Sequence, residues 1–173
     1  MKKNINSLEI RVSLQEDARA LLQLLEILAE ESENLNMIPG RIDKTVESEI
    51  QLINSRRENP KSNHLLALVD NKIVGMCGLN GRDNSSRISH RATLGIGILK
   101  EYCGIGIGYK LMSKQIDYAK SFGISKINLE VRINNETAIN LYKKCGFEIE
   151  GTIRKAMVVS TGYADTYIMG LVL

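Results

Sequence analysis

Three glycines at alternate positions lie in the segment Gly104–Tyr109, between an apolar run and a helical pattern. Glycine allows backbone conformations that other residues avoid and lets a ligand approach without a Cβ in the way. A helix that begins here adds unpaired N–H donors and the positive end of its dipole. The segment is therefore predicted to cradle a pyrophosphate with its main-chain amides. The residues of this predicted cradle are Gly104, Ile105, Gly106, Ile107, Gly108 and Tyr109.

The spacing of the glycines disagrees with two common phosphate-binding loops. A Walker loop requires Gly-Lys-Ser/Thr at its end, but here Lys110 follows Tyr109 and neither Ser nor Thr comes next. A dinucleotide fingerprint requires a third glycine where this chain has Tyr109. The loop alone leaves one structural alternative open, which is a glycine-rich turn that only joins a strand to a helix.

A second motif follows about 30 residues later and gives the loop its context. Together the two motifs resemble the GNAT family of N-acetyltransferases. The first family pattern is Gln/Arg-x-x-Gly-x-Gly/Ala, in which Cys103 replaces the usual Gln or Arg. This departure weakens one phosphate contact, for which Lys100 or Lys110 can supply a charge. The matching residues are Gly106, Gly108, Asn135, Ala138, Leu141, Tyr142, Gly146 and Phe147.

Periodicity and turn residues predict a single mixed α/β (α+β) domain over residues 1–173, with the element order βααβββαβαββ. Ser13 with Glu16 is predicted to cap the first helix, and Asp43 the second. Asp70-Asn71 predicts a hairpin turn. The predicted elements run Leu8–Val12, a helix to Glu31, Asp43–Arg57, His64–Val69, Lys72–Leu79, Arg87–Leu99, Gly106–Phe122, Ile127–Val131, Asn135–Cys145, Phe147–Val159 and Tyr163–Val172.

Gly95 and Gly97 interrupt the fourth strand. Glycine inside a strand indicates a bulge or a close approach of another chain segment. The family resemblance implies a bulge here and a sheet that splays between the fourth and fifth strands.

The resemblance implies acetyl-CoA as cofactor, and no metal. It implies that backbone groups of Ile98, Leu99 and Lys100 pair with the pantetheine arm, and that an N–H near Ile98 stabilises the oxyanion. Asn135 either bonds the same arm or caps a helix, and both roles are compatible.

Tyr142 is the candidate general acid, because the matching tyrosine of the family protonates the thiolate of coenzyme A. A phenol is protonated at neutral pH and can donate. The alternative is a core aromatic residue, since Tyr142 shares a helical stripe with Ala138, Leu141 and Cys145. Glu130 is the candidate base, although strand alternation also allows it to face solvent, and ordered water is the alternative base.

The predicted acceptor is the primary amine of a small molecule, because the C-terminal run resembles the GNAT subgroup that acetylates amino acids, polyamines and related amines. Acidic residues Glu30, Glu31 and Glu33 either attract a cationic amine or form a solvated helix end. A protein N-terminal acetyltransferase of the ribosomal-protein type and a non-catalytic CoA-binding module remain as alternatives.

Composition argues against several other partners. Net charge is only +3 without a polybasic run, and aromatic residues are 5% of the chain with no Trp, so nucleic-acid binding is not expected. Three scattered cysteines and two isolated histidines predict neither disulfides nor a metal site. Met1–Asn6 show no apolar core of signal-peptide length, and a cytoplasmic location without membrane contact is expected. The apolar final hairpin predicts a homodimer.

Overall fold

Seven strands and four helices form the regular structure of residues 7–173, the part of the chain that a computed structural model describes. Met1–Asn6, for which the sequence predicts no signal peptide, lie outside the described residues. Single 3₁₀ turns, Gln15–Asp17 and Lys100–Tyr102, precede α1 and follow β4. The elements are β1 (Leu8–Val12), α1 (Ala18–Glu31), α2 (Val46–Glu58), β2 (Asn63–Val69), β3 (Lys72–Gly81), β4 (Arg91–Ile98), α3 (Ile107–Ser121), β5 (Lys126–Arg132), α4 (Glu136–Lys144), β6 (Glu148–Val159) and β7 (Gly162–Val172).

The strands form one mixed sheet in the order β1-β2-β3-β4-β5-β7-β6. Neighbouring strands are antiparallel except β4 and β5, which run parallel. That parallel pairing covers only Arg91–Thr93 of β4 and Lys126–Asn128 of β5. Beyond these residues the two strands no longer pair. The predicted fold class, element order and splay between the fourth and fifth strands are confirmed.

Helices cover both faces of the sheet, and neighbouring residues of β4 show which helix lies on which face. A Cβ placed on Gly97 would lie 2.7 Å from Leu28 Cδ1 of α1. A Cβ placed on Gly108 of α3 would lie 2.9 Å from Leu141 Cδ2 of α4 and 3.3 Å from Ile98 Cδ1. Successive strand residues point to opposite faces. It follows that α1 packs on one face of the sheet, and that α3 and α4 pack on the other.

The hairpin between β2 and β3 forms as its sequence predicts. Asp70 and Asn71 both have left-handed backbones, with φ of 48° and 65°. Two successive positive φ values define the tight turn whose twist matches that of the flanking strands. All seven residues of β2 are buried, as is typical of a strand covered on both faces.

The predicted cap of the first helix is wrong. Ser13 is buried and its Oγ lies 3.1 Å from His64 Nδ1, so it does not reach the helix start. Asp17 immediately precedes α1, and its carboxylate accepts the Leu14 N–H at the start of the 3₁₀ turn at 2.8 Å while its two oxygens bind Arg11 at 2.7 and 2.8 Å. The Ser13 hydroxyl contacts His64, 51 residues away in the sequence, instead of the start of the helix.

The predicted cap of the second helix is also wrong. Thr45, two residues after Asp43, precedes α2, and its Oγ1 accepts the Ser48 N–H at 3.1 Å. Ser48 Oγ in turn accepts the Thr45 N–H at 3.0 Å. This reciprocal pair satisfies two donors at once, which a lone Asp43 does not.

The predicted bulge in β4 is wrong as well. Its register with β3 runs without a shift from the pair Gly75 and Ile98 to the pair Gly81 and Ala92. The other explanation for a strand glycine, a close approach, holds at Gly97, where Leu28 leaves no room for a side chain. β4 begins at Arg91 rather than Arg87 because the preceding residues form turns.

No helix within residues 7–173 is long and apolar enough to cross a membrane. In the same range, no three His, Cys, Asp or Glu side chains gather closely enough to hold a metal ion. The three cysteines are free; Cys77 is buried, Cys103 exposed and Cys145 half-buried.

Candidate active site

The divergence of β4 and β5 opens a gap whose walls carry unused backbone groups. The Leu99 N–H donates to the Val74 carbonyl of β3 at 2.9 Å. Because backbone groups of an antiparallel strand alternate in direction, those of Ile96 and Ile98 point away from β3, into the gap. The gap runs from Thr93 to Ile98, about 17 Å at a rise of about 3.3 Å per residue. An extended ligand entering this gap can pair with β4 as an added strand does.

Of the three residues predicted to pair with such a ligand, Ile98 has the backbone orientation that this requires. The Leu99 N–H is used by Val74, and the Lys100 N–H donates to Glu31 Oε2 at 2.8 Å. Sequence reasoning missed Ile96, although strand alternation around Ile98 could have indicated it.

The glycine loop lies at the open end of this gap and begins α3. Gly104 and Gly106 have φ of 77° and 92°, which only glycine adopts without strain, and a Cβ on either would meet no atom within 4 Å. The first helical bond is from the Lys110 N–H to the Gly106 carbonyl, at 3.2 Å. Within residues 7–173, the N–H groups of residues 106 to 109 have no acceptor. These donors suit an anion such as a pyrophosphate.

Gly108 serves packing rather than the loop conformation. It is the glycine that faces Leu141 and Ile98, and its missing side chain lets the start of α3 approach α4 and β4. Two of the three alternate glycines are therefore required by their backbone conformation and the third by close packing, a difference that their even spacing does not reveal.

Two side chains beside the loop bear on the effect of Cys103, which replaces the usual Gln or Arg of the family pattern. Cys103 Sγ lies 3.7 Å from the Ile98 carbonyl oxygen and 3.6 Å from that of Leu99. Although Cys103 as a whole is exposed, partial burial of its sulfur and then the charge of Glu31 raise the pKa of this thiol, which therefore supplies a neutral S–H and no charge. Lys144 Nζ lies 4.9 Å from the centre of the Tyr109 ring. Lys144 thus adds a positive charge beside the loop that sequence reasoning missed.

Tyr142 lies on α4, on the sheet face opposite α1. It is 6% exposed, and its ring centre is 6.1 Å from that of Phe147. Burial, and then the neighbouring Cys77 and Cys145 thiols, raise the pKa of this phenol well above its ordinary value. The phenol is therefore protonated and uncharged over the whole physiological range.

Asn135 starts the same helix. Its Oδ1 accepts the Ala138 N–H at 3.3 Å, so the predicted helix cap is present. That the Asn135 side chain also contacts the pantetheine arm of a cofactor stays a prediction.

Glu130 lies at the closed end of the gap. Ile127, Leu129 and Val131 of β5 are buried, and Glu130 is exposed on the opposite face of the strand. It lies two residues beyond Asn128, the last β5 residue paired with β4. The nearest polar contact is from Thr166 Oγ1 to Glu130 Oε2, at 3.5 Å. Glu130 therefore faces solvent and also lies at the closed end, or floor, of the gap. It stays a candidate general base, and the alternative of a merely solvent-facing residue stays open as well.

Residues Glu31–Asn34, here called the bridging segment, cross this face of the sheet. Glu31 binds the Lys100 N–H, and Glu33 accepts from the N–H and the hydroxyl of Ser160 at 2.7 and 3.2 Å. Arg132 Nη1 donates to the Glu33 carbonyl at 3.2 Å and to Asn34 Oδ1 at 3.5 Å. The side chains of Glu31 and Glu33 are thus not merely solvated, since they tie the end of α1 to the turn after β4 and to the turn between β6 and β7. For Glu30 both interpretations stay open.

Comparison with known proteins shows what this arrangement is similar to. The model of the acetyltransferase (GNAT) family matches residues 21–147. The chain is 33% identical to the L-amino acid N-acetyltransferase AaaT of Escherichia coli over 116 residues, covering 66% of this chain and 71% of that protein. It is 32% identical to a putative ribosomal protein bS18 alanine N-acetyltransferase of Bacillus subtilis over 112 residues, covering 65% and 70%.

Solved structures agree in fold. An acetyltransferase of the GNAT family from Streptococcus pneumoniae superposes with a TM-score of 0.92 at 29% identity, covering 96% of this chain and all of that one. A putative acetyltransferase from Salmonella typhimurium, solved with its cofactor acetyl-CoA, gives a TM-score of 0.85 at 17% identity, covering 97% and 95%.

Proposed function

Because the chain belongs to the GNAT acetyltransferase family, we propose that it moves an acetyl group from acetyl-CoA to a primary amine of a small molecule, such as an amino acid or a polyamine. Transfer is direct, with both substrates bound together. The observation that carries this proposal is the gap between β4 and β5. It has free N–H groups at its open end, a neutral phenol on the helix behind it and an exposed carboxylate at its floor.

The residues of the loop fit the diphosphate of the cofactor. Gly104 and Gly106 leave open space where side chains would stand, and the N–H groups from Gly106 to Tyr109 have no acceptor within the described chain. The pantetheine arm would pair with the gap-facing groups of Ile98 and Ile96, and the acetyl thioester supplies an activated acyl carbon. A backbone N–H near Ile98 would stabilise the charge that develops on the carbonyl oxygen.

Proton transfer falls to side chains on the two faces of the sheet. An ammonium group must lose a proton before it can attack, and Glu130 would accept that proton directly or through ordered water. Tyr142 would give its proton to the departing thiolate. Its raised pKa keeps the phenol protonated at neutral pH.

One assay tests the proposal. The purified protein is mixed with acetyl-CoA and a panel of amines that includes amino acids, polyamines and peptides beginning with alanine, and free thiol is measured. We expect release that depends on a small-molecule amine. Acetyl-CoA binding without release for any amine would instead favour a non-catalytic CoA-binding module.

A protein N-terminal acetyltransferase is the second candidate, because relatives at 32% and 30% identity carry such names. The bridging segment argues for the smaller acceptor. Glu33 and Ser160 join two elements across the face on which Glu130 is exposed, and this narrows the path for a polypeptide. Faster acetylation of an alanine-initiated peptide than of any small amine would reverse this preference.

We also infer a homodimer from the hairpin of β6 and β7. β6 is an edge strand, and Val158 and Tyr163 are 78% and 65% exposed. Such an apolar edge favours pairing with a second copy. Light scattering on the purified protein tests this, and a monomer at micromolar concentration would refute it. The cytoplasmic location stays a prediction.

A further inference from the structure

Arg132 ends β5 with a donor that the chain does not use. Its Nε is the one buried side-chain nitrogen or oxygen atom among residues 7–173 without a hydrogen-bond partner. Its Nη1 contacts the Glu33 carbonyl at 3.2 Å and Asn34 Oδ1 at 3.5 Å, the second of these being a weak contact. Buried polar groups nearly always have partners, so an orphan donor at a candidate site calls for an acceptor.

The position of Arg132 suggests what that acceptor is. Arg132 and Glu130 lie on the same face of β5, two residues and about 7 Å apart along the strand. Glu130 lies at the floor of the gap, and Arg132 lies toward its open end. A carboxylate and a guanidinium at this spacing complement the ammonium and carboxylate groups of one amino acid.

Two other cations on this face of the sheet, Arg91 and Lys126, are already paired. Arg91 Nη2 donates to Asn128 Oδ1 at 3.0 Å, and Lys126 forms an ion pair with Glu150. Both lie on the other side of Glu130, where β4 and β5 are joined. Arg132 is therefore a cation on the open side of Glu130 that has a donor to spare.

We propose that the acceptor is an α-amino acid whose carboxylate is bound by Arg132 while its amino group faces Glu130. This inference rests on the acetyl transfer proposed above and narrows its acceptor. The bridging segment holds the guanidinium through Nη1, which leaves the Nε–Nη2 edge with two parallel donors for a carboxylate. Because Nε is buried, the carboxylate would have to displace neighbouring groups to reach this edge. Polyamines and peptide N-termini lack this carboxylate and would leave Nε unpaired.

The test compares each of the common L-amino acids with its own α-amide, at saturating acetyl-CoA, by thiol release. Arg132→Gln should lower the ratio of kcat/KM for the best amino acid to kcat/KM for its amide by about 10- to 100-fold, the value of a charge-assisted hydrogen bond. The ratio is measured within one enzyme, so it is insensitive to the folded fraction, and Gln can still donate to the Glu33 carbonyl.

Arg91→Gln is the matched control, since it removes a cation from the same face and should leave the ratio at the wild-type value. A ratio that Arg132→Gln leaves unchanged, or that changes in Arg91→Gln alone, would overturn the inference while leaving acetyl transfer intact. Failure to acetylate any amine would instead refute the proposed function on which the inference rests.

Discussion

Gly95 and Gly97 form a matched pair on β4, because both point their missing side chains toward the face that α1 covers. A Cβ at Gly97 would lie 2.7 Å from Leu28 Cδ1, whereas a Cβ at Gly95 would meet no atom within 4 Å. Leu28 is 4% exposed and has little room to turn away. Gly97→Ala should therefore lower the free energy of unfolding by about 1–3 kcal/mol, the usual cost of overpacking. Gly95→Ala should be neutral or stabilise by up to about 1 kcal/mol, because alanine restricts the unfolded chain.

Urea unfolding followed by far-ultraviolet circular dichroism measures both changes in the free energy of unfolding. In a thermal melt, each kcal/mol corresponds to about 2–4 °C in Tm for a chain of this length. Leu28→Ala provides the second arm of a double-mutant cycle. Adding it to Gly97→Ala should cost less than the sum of the two single changes, by about 1 kcal/mol, because the clash is relieved. Equal stability of the two glycine variants, or strict additivity with Leu28→Ala, would refute the claim that Gly97 exists to admit α1.

Three further predictions concern single side chains. Tyr142→Phe should reduce kcat by about 100- to 10,000-fold with little change in acetyl-CoA affinity, and unchanged turnover would remove Tyr142 from the mechanism. Burial, and then the charges of nearby Arg56 and Lys44, lower the pKa of His64 from 6.5 to about 3, so the folded protein keeps a neutral ring while the unfolded chain takes up a proton below pH 6.5. The free energy of unfolding should thus be highest above pH 6.5 and decrease as the pH is lowered, by about 2 kcal/mol at pH 5. Urea titrations at several pH values should show a weaker pH dependence for His64→Gln. An equal pH dependence in both proteins would contradict the assignment. Lys155 has a left-handed backbone with φ of 51°, so Lys155→Gly should raise the free energy of unfolding by about 1 kcal/mol, and a lower urea midpoint would show that its contacts outweigh the strain.

Local patterns predicted the elements of the fold well because each depends on neighbours in the sequence. The hairpin at Asp70-Asn71 follows from two residues that tolerate positive φ, and the helices follow from apolar spacing. Predictions failed where a distant partner intervened. Ser13 could cap a helix by sequence, but His64, 51 residues away, holds its hydroxyl.

The candidate site divides in the same way. The glycine loop could be predicted because the conformations of Gly104 and Gly106 are local properties of the backbone. Ile96 was missed because its unused backbone groups depend on where β4 and β5 stop pairing. The bridging segment was missed because Glu33 meets Ser160 across 127 residues of sequence.

The amino-acid sequence by itself determined the family, the order of the elements and the loop that suits a diphosphate, because motifs and periodicity are local in the chain. Only the tertiary structure decided where the sheet opens, which face carries Glu130 and which donor of Arg132 is left unpaired. Pairing between strands and hydrogen bonds between distant residues depend on how the whole chain packs. Those long-range contacts place the proposed acceptor chemistry in the molecule.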